Sequence, residues 1–449
     1  MPRMSEAANF LSKVQGRKQE LLFVNKKKQK NFDLRGAVAS ALPKPQRGKS
    51  FLLLFFKKEA LAFTSLSSLL ALAACGIPKP GPFYANQANQ AAPHGTLIAA
   101  SPFTPIPGAA AYRVVYNSES EDGAIVPVSG VIYIPTAAPP PGGRDIVAWA
   151  HPTTGIAQGC APSLNTDSIG GTTTAGSIPG IDSFIAAGDI VAATDYEGLG
   201  EPGTHPYLIG KAEGQDIIDS VLAAKTLPAA NPSGRFVVWG HSQGAQAALF
   251  AGQIAKSYAP QLTLLGVAAA APVTDLQGEL TEPFNNAGGR LLHAYVYSTW
   301  PKIYHVPITS VVDPRAVPAV EKSATKCLNT LGTAIDGVIT ADALNPVFLK
   351  YPPQSTAPWP ALFSENSPGH SPPGAPLLIL QGQKDPTVEP HWTESFVAKI
   401  CARHQPIAYQ EFPNATHLTI PAKSLPTVTA WIANRFAGKP APDTCGVAG

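Results

Sequence analysis

The sequence predicts an α/β architecture, a largely parallel central sheet covered by helices on both faces, and three features carry the prediction. Short apolar runs, the form expected of strands buried on both sides, recur at 145–150, 189–194, 235–239, 262–271 and 376–380. Helical stretches at 214–226 and 245–257 lie between them, and strands alternating with helices imply parallel pairing with crossovers over the faces. Ahead of them, 111–117 and 125–135 alternate apolar and polar residues around an acidic, glycine-bearing turn and read as a hairpin.

The composition suits a compact, loop-rich body. Charged residues make up 14% of the 449-residue chain, against about 25% in ordinary globular proteins, and the 46 prolines are about twice the usual share. The net charge of +3 averages two unlike parts: residues 1–74 hold 14 Lys/Arg against 4 Asp/Glu, and residues 75–449 hold 19 against 26. An acidic body argues against nucleic acid, which needs clustered Lys/Arg on a folded face.

The basic head ends in an export-like pattern. Lys57 and Lys58 precede an apolar run at 60–72, closed by Leu72-Ala73-Ala74-Cys75-Gly76, the order of a basic region, a short apolar core and a small-residue cleavage site. It resembles a bacterial lipoprotein signal, in which Cys75 becomes the lipidated first residue of the mature chain. About 13 apolar residues are too few for a permanent membrane span. Residues 1–50 fit no export signal, and the expected start of translation lies near 52–56, because a long leader would bury the signal. The expected organisation is a basic leader at 1–58, the apolar signal core at 59–74 and a Pro/Ala/Asn/Gln-rich tether at 75–108. An α/β core follows at 109–276 and 371–449, interrupted at 277–370, where the strand–helix rhythm breaks into a helical stretch (317–344), proline-rich loops and an aromatic segment (351–363). Structureless loops of that length are rare inside a domain, so 277–370 reads as an inserted, largely helical cap.

Four cysteines remain in the body, and an even number in an exported chain suggests two disulfides. Short-range closure favours Cys401 with Cys445, leaving Cys160 with Cys327. No Cys-x-x-Cys or matching His pair supports a metal site.

The chemistry centres on Gly240-His241-Ser242-Gln243-Gly244. A bare Gly-x-Ser-x-Gly is weak evidence, but here an apolar strand precedes it and a helix follows. That places Ser242 at the sharp strand-to-helix turn, or nucleophile elbow, of an α/β-hydrolase fold. A serine hydroxyl needs a histidine to take its proton and a carboxylate to fix that histidine's tautomer, in the chain order Ser, acid, His. Asp385 follows the run at 376–380 and His417 follows a strand-like segment at 406–412, both where an open α/β sheet gathers its loops. Asp275 is a rival acid, and His391 and His404 are rival bases less favoured by position. The oxyanion of a tetrahedral intermediate needs two N–H donors. Gln243 supplies one, and the loop His151-Pro152-Thr153-Thr154-Gly155 the other. Pro152 has no N–H, so Thr153 or Thr154 donates. Asp195 and Tyr196 end the 189–194 run close to where substrate would enter, so a direct role is open; the alternative is that Asp195 bonds loop backbone around Gly198 and Gly200, and neither residue is counted as catalytic.

These stretches resemble the secretory lipase family of α/β-hydrolases, the lipase A-like group of fungi and bacteria. The resemblance rests on residues 151–155, Cys160-Ala161-Pro162-Ser163, Asp195-Tyr196-Glu197-Gly198-Leu199-Gly200, His205-Pro206-Tyr207-Leu208, Glu213-Gly214 and the elbow at Ser242, and runs from about residue 110 to the C-terminus. It implies Ser242 as nucleophile, Asp385 as acid, His417 as base, a donor around Thr153 and Thr154, disulfides, and a cap over an acyl-binding tunnel. The chain departs from the pattern in carrying Pro152 where Gly is common. The implied protein is an exported, cofactor-free serine hydrolase of carboxylic esters, with lipid esters the expected substrates. It is expected to be a monomer, either secreted or held at the bacterial cell envelope through Cys75. An acyltransferase with the same triad and a non-catalytic surface-binding lipoprotein are the alternatives.

Overall fold

The computed structural model describes residues 77–165, 175–280, 287–344 and 348–445. The 59–74 signal core, Cys75 and the basic leader lie outside them. Among the described residues, nine strands form one sheet in the order β1-β2-β3-β5-β4-β6-β7-β8-β9. β1 (Leu97–Pro102), β2 (Ala109–Glu119) and β3 (Ile125–Pro135) form an antiparallel meander, and β3 pairs antiparallel with β5 (Ile190–Thr194). From β5 onward every pairing is parallel: β4 (Arg144–Ala150), β6 (Pro232–His241), β7 (Thr263–Ala270), β8 (Leu377–Gly382) and β9 (Ile407–Phe412).

Side-chain alternation along the central strands builds the two core layers. Ile146, Ala148, Ile190, Ala192, Phe236 and Val238 enter one layer, and Val147, Trp149, Val191, Ala193, Val237 and Trp239 the other. The first layer is covered by α2 (Gly210–Ala224) and α3 (Gln243–Tyr258), through Ile217, Ile218, Val221, Ala248 and Leu249. The second is covered by α1 (Ile181–Ala187) and α9 (Ile420–Phe436), through Phe184, Ile185, Val428, Trp431 and Ile432. Because both faces are buried, these strands read as continuous apolar runs, which is why they were legible.

Between β7 and β8 the chain forms a turn of helix at Leu276–Glu279, then α4 (Ala287–Ile303), α5 (Val317–Ala324), α6 (Leu331–Asp342) and α7 (Trp359–Glu365). They share a separate apolar cluster rich in aromatics, among them Tyr295, Tyr297, Trp300, Trp359 and Phe363. The helix α8 (Pro390–Cys401) follows β8.

Three local expectations differ from the structure. The 75–108 tether contains β1, which pairs with β2 through a bulge between Leu97 and Ala99. Its small residues and flanking prolines resemble a linker, and only the open edge of β2 makes it a strand. The helical stretch at 317–344 is two helices, broken where Cys327 is drawn to Cys160, and Thr330 restarts the chain with a capping box to Thr333. α4 opens at Gly288-Gly289 and contains Pro301 in its last turn, signals that argue against a helix, and the sequence predicts none there.

Cys160–Cys327 and Cys401–Cys445 are both disulfide-bonded, the pairing expected from the sequence. The first fastens the inserted segment to the loop after β4. Beside it, Gly155 and Cys327 form a β-bridge and Leu328 N donates to Thr154 O at 2.6 Å. Replacing Cys160 and Cys327 together with Ser should cost about 2–5 kcal/mol of stability, since the bond closes a long loop in the unfolded chain. Denaturant unfolding of the variant beside the parent measures it, and an unchanged midpoint would refute it.

Candidate active site

The loops that leave the carboxyl ends of β4, β6, β8 and β9 converge, and the elbow between β6 and α3 is their centre. Ser242 has φ 57° and ψ −123°, a region costing a residue with a side chain of order 1–3 kcal/mol. Neighbouring contacts hold it there. Ser242 N donates to Ala270 O on β7 at 2.9 Å, and Ser242 O accepts from Ala245 N at 2.9 Å and Gln246 N at 3.1 Å. Glycine is required on both sides because the backbones touch: a Cβ on Gly240 would overlap the carbonyl of Gly244, and one on Gly244 the carbonyls of Ala150 and His151. The elbow is thus packed directly on the start of the 151–155 loop, consistent with the parallel register of Ala150 beside Gly240.

Ser242, His417 and Asp385 are all buried and hydrogen-bonded in series. Ser242 Oγ lies 2.8 Å from His417 Nε2, and His417 Nδ1 lies 2.8 Å from Asp385 Oδ2. Thr387 N and Val388 N donate to Asp385 Oδ1 at 2.8 and 3.0 Å, leaving Oδ2 to face the imidazole. With Nδ1–H donated to the carboxylate, Nε2 carries the lone pair and accepts from the serine hydroxyl. His241 Nε2–H donates to the carbonyl of His417 at 2.9 Å, which ties the His417 loop back to the elbow. Burial, followed by the neighbouring His417, pushes the His241 imidazole well below its ordinary value, so it stays neutral.

The rival residues are engaged elsewhere. Asp275 caps the turn at Leu276–Glu279, accepting from Gly278 N at 2.9 Å. His391 is exposed in the first turn of α8 and pairs with Glu389, and His404 is exposed beyond the end of that helix. Thr153 and Thr154 leave β4 beside the elbow: Thr153 Oγ1 is 3.0 Å from Tyr207 Oη, and Thr154 O accepts from Leu328 N. Gln243 begins α3, and an N–H in the first turn of a helix has no acceptor within it. Asp195 does not bond the Gly198–Gly200 backbone as expected. It accepts from Ser129 Oγ at 2.6 Å, Ser163 N at 2.9 Å and Ser163 Oγ, so it ties β3 to the 160–165 loop. Sequence reading overlooked His241, a partner hidden inside the elbow motif itself, and Glu213, quoted only as part of a resemblance.

Glu279 is buried on the turn that Asp275 caps, where the charge of Asp385 also opposes its ionisation. Its Oε1 accepts from Thr274 N at 3.0 Å and Asp275 N at 3.3 Å, and burial pushes its carboxyl up to about 8. An unfolded Glu ionises near about 4.3, so over the interval up to about 8 the unfolded chain binds fewer protons than the folded one. Stability falls as pH rises through that interval. Glu279→Gln should remove this contribution, gaining stability over the parent at pH 8 and not at pH 4. Urea unfolding at both pH values measures it, and an equal change at both would count against the buried neutral carboxyl.

A profile of the secretory lipase family matches residues 168–444. The chain is 24% identical over 355 residues to lipase A of Moesziomyces aphidis, covering 75% of this chain and 74% of that protein. It is 25% identical over 276 residues to a probable inactive lipase of Mycobacterium tuberculosis, covering 59% of this chain and 58% of the relative. Among solved structures, Candida antarctica lipase A in its closed state superposes with a TM-score of 0.68 at 20% identity, over 82% of this chain and 89% of that one. A rice cell wall degrading esterase of Xanthomonas oryzae superposes with a TM-score of 0.64 at 17% identity, over 77% and 100%. The profile match extends through α2, the elbow, Asp385 and His417 and covers more than half of the sequence, and on that ground the chain belongs to the secretory lipase family of α/β-hydrolases.

Proposed function

We propose that the protein is an exported serine hydrolase of carboxylic esters, a lipase-type enzyme acting on lipid esters through an acyl-enzyme on Ser242. The observation that carries this reading is the unbroken series from Ser242 Oγ through His417 to Asp385, with both links at 2.8 Å. One relative is described as a probable inactive lipase; what favours activity here is that nucleophile, base and acid are all present and joined. Ser242 Oγ attacks the ester carbonyl carbon as His417 Nε2 takes its proton, and Asp385 stabilises the imidazolium that forms. The oxyanion is met by the N–H of Gln243 and one from Thr153 or Thr154. His417 then protonates the departing alcohol, and water, deprotonated by the same imidazole, releases the acid. Family membership and the aromatic cluster of the inserted segment favour an apolar acyl group, with residues 277–370 acting as a cap. Export suits the family and the two disulfides; anchoring through lipidated Cys75 is the finer part of the proposal.

Ser242→Ala should leave the fold intact and lower ester turnover by a factor of about 10⁶, and Asp385→Asn by about 10⁴. Turnover that survives Ser242→Ala would end the mechanism. p-Nitrophenyl esters of rising acyl length, followed by an emulsified triglyceride, test the substrate class. Rates should rise into the long acyl range, and activity confined to short soluble esters would leave a hydrolase that is not a lipase.

A further inference from the structure

Behind the elbow lies a buried polar lock that the mechanism above does not use. Gln243 Nε2 is 2.6 Å from Glu213 Oε1 and 3.0 Å from His205 Nε2. His205 Nδ1–H donates to Glu197 O at 2.9 Å, so His205 Nε2 is an acceptor and the two amide hydrogens of Gln243 are divided between His205 and Glu213. Glu213 Oε1 also accepts from Leu208 N at 3.0 Å, while its Oε2 is buried with no hydrogen-bond partner among the described residues. One residue turn away, Gln246 Nε2 donates to Leu208 O at 3.1 Å and Asn366 O at 2.7 Å. The same segment reaches the other side of the elbow, where Tyr207 Oη meets Thr153 Oγ1.

We propose that Glu213, with His205, is a positioning residue that holds the Ser242–Gln243 peptide in its oxyanion-binding orientation by clamping the Gln243 side chain. This rests on the hydrolase reading. The clamp adds to the backbone bonds that hold Ser242 in its unfavourable region, and rotating that peptide would turn the Gln243 N–H away from the developing oxyanion. Burial also disfavours charge on the clamp, which suits a site that stabilises negative charge. Burial pushes the Glu213 carboxyl well above its ordinary value and the His205 imidazole down to about 3. A protonated Glu213 is close in shape to glutamine, which makes Glu213→Gln the informative conservative change.

The test compares Glu213→Ala, Gln243→Ala, the double variant and Glu213→Gln on a p-nitrophenyl ester, with Ser242→Ala as control. Each alanine variant should lose about 10- to 100-fold in kcat with KM unchanged, less than the loss of a whole oxyanion donor. The double variant should be no worse than the poorer single one, because both break the same clamp. Inhibition by an alkylboronic acid, which forms a tetrahedral adduct on serine, should weaken in step with kcat, and Glu213→Gln should recover kcat to within about threefold. If Glu213→Ala does not fold, Gln243→Ala breaks the clamp from its other end and leaves the Leu208 bond in place. Folded variants with unchanged kcat, multiplying losses in the double variant, or a Glu213→Gln as impaired as Glu213→Ala would each overturn the inference while leaving the hydrolase standing. A parent protein no more active than Ser242→Ala would overturn both.

Discussion

The turn between β6 and α3 is the point on which the rest of the structure depends. Ser242 is carried at φ 57° and ψ −123°, a conformation no isolated peptide would keep, and two glycines let the surrounding backbones close on it. The sheet fixes its amide through Ala270, the helix fixes its carbonyl, and β4 presses Ala150 and His151 against Gly244. The unfavourable dihedrals are offset by contacts drawn from three parallel strands, so the serine is aimed by the whole sheet.

The neighbours follow from that constraint. His417 is reached from the far side by a loop after β9, and its position is set by two bonds that do not involve the serine: Nδ1 to Asp385, and its carbonyl to His241. Asp385 is in turn held by backbone amides of its own loop. An imidazole held in this way arrives with its tautomer and orientation already chosen. Around it, burial raises the carboxyls of Glu279 and Glu213 above their ordinary value and so disfavours added negative charge.

The inserted segment is coupled to this centre by chain geometry as well as by apolar packing. The Cys160–Cys327 bond and the Gly155–Cys327 bridge join it to the loop that follows β4, and Asn366 accepts from the Gln246 side chain through its backbone carbonyl and from Gly210 N through its side chain.

Much of this was determined by the sequence alone. Strands buried on both faces declare themselves as apolar runs whatever surrounds them, and Gly-x-Ser-x-Gly between such a run and a helix has few other structural uses. The order Ser242, Asp385, His417 is a property of the chain and is readable without the fold. Tertiary structure decided what depends on distant partners. β1 is a strand only because the edge of β2 is open, and the 317–344 stretch breaks because Cys327 is drawn to Cys160. Asp275 is set apart from Asp385 only by where their loops end, one on its own helical turn and the other on His417. The same holds for His205, Glu213 and Gln243, which sit up to 38 positions apart and meet only when α2 packs on α3. Local pattern fixes which elements form; the pairing of buried polar groups, each needing one specific partner, is set by packing.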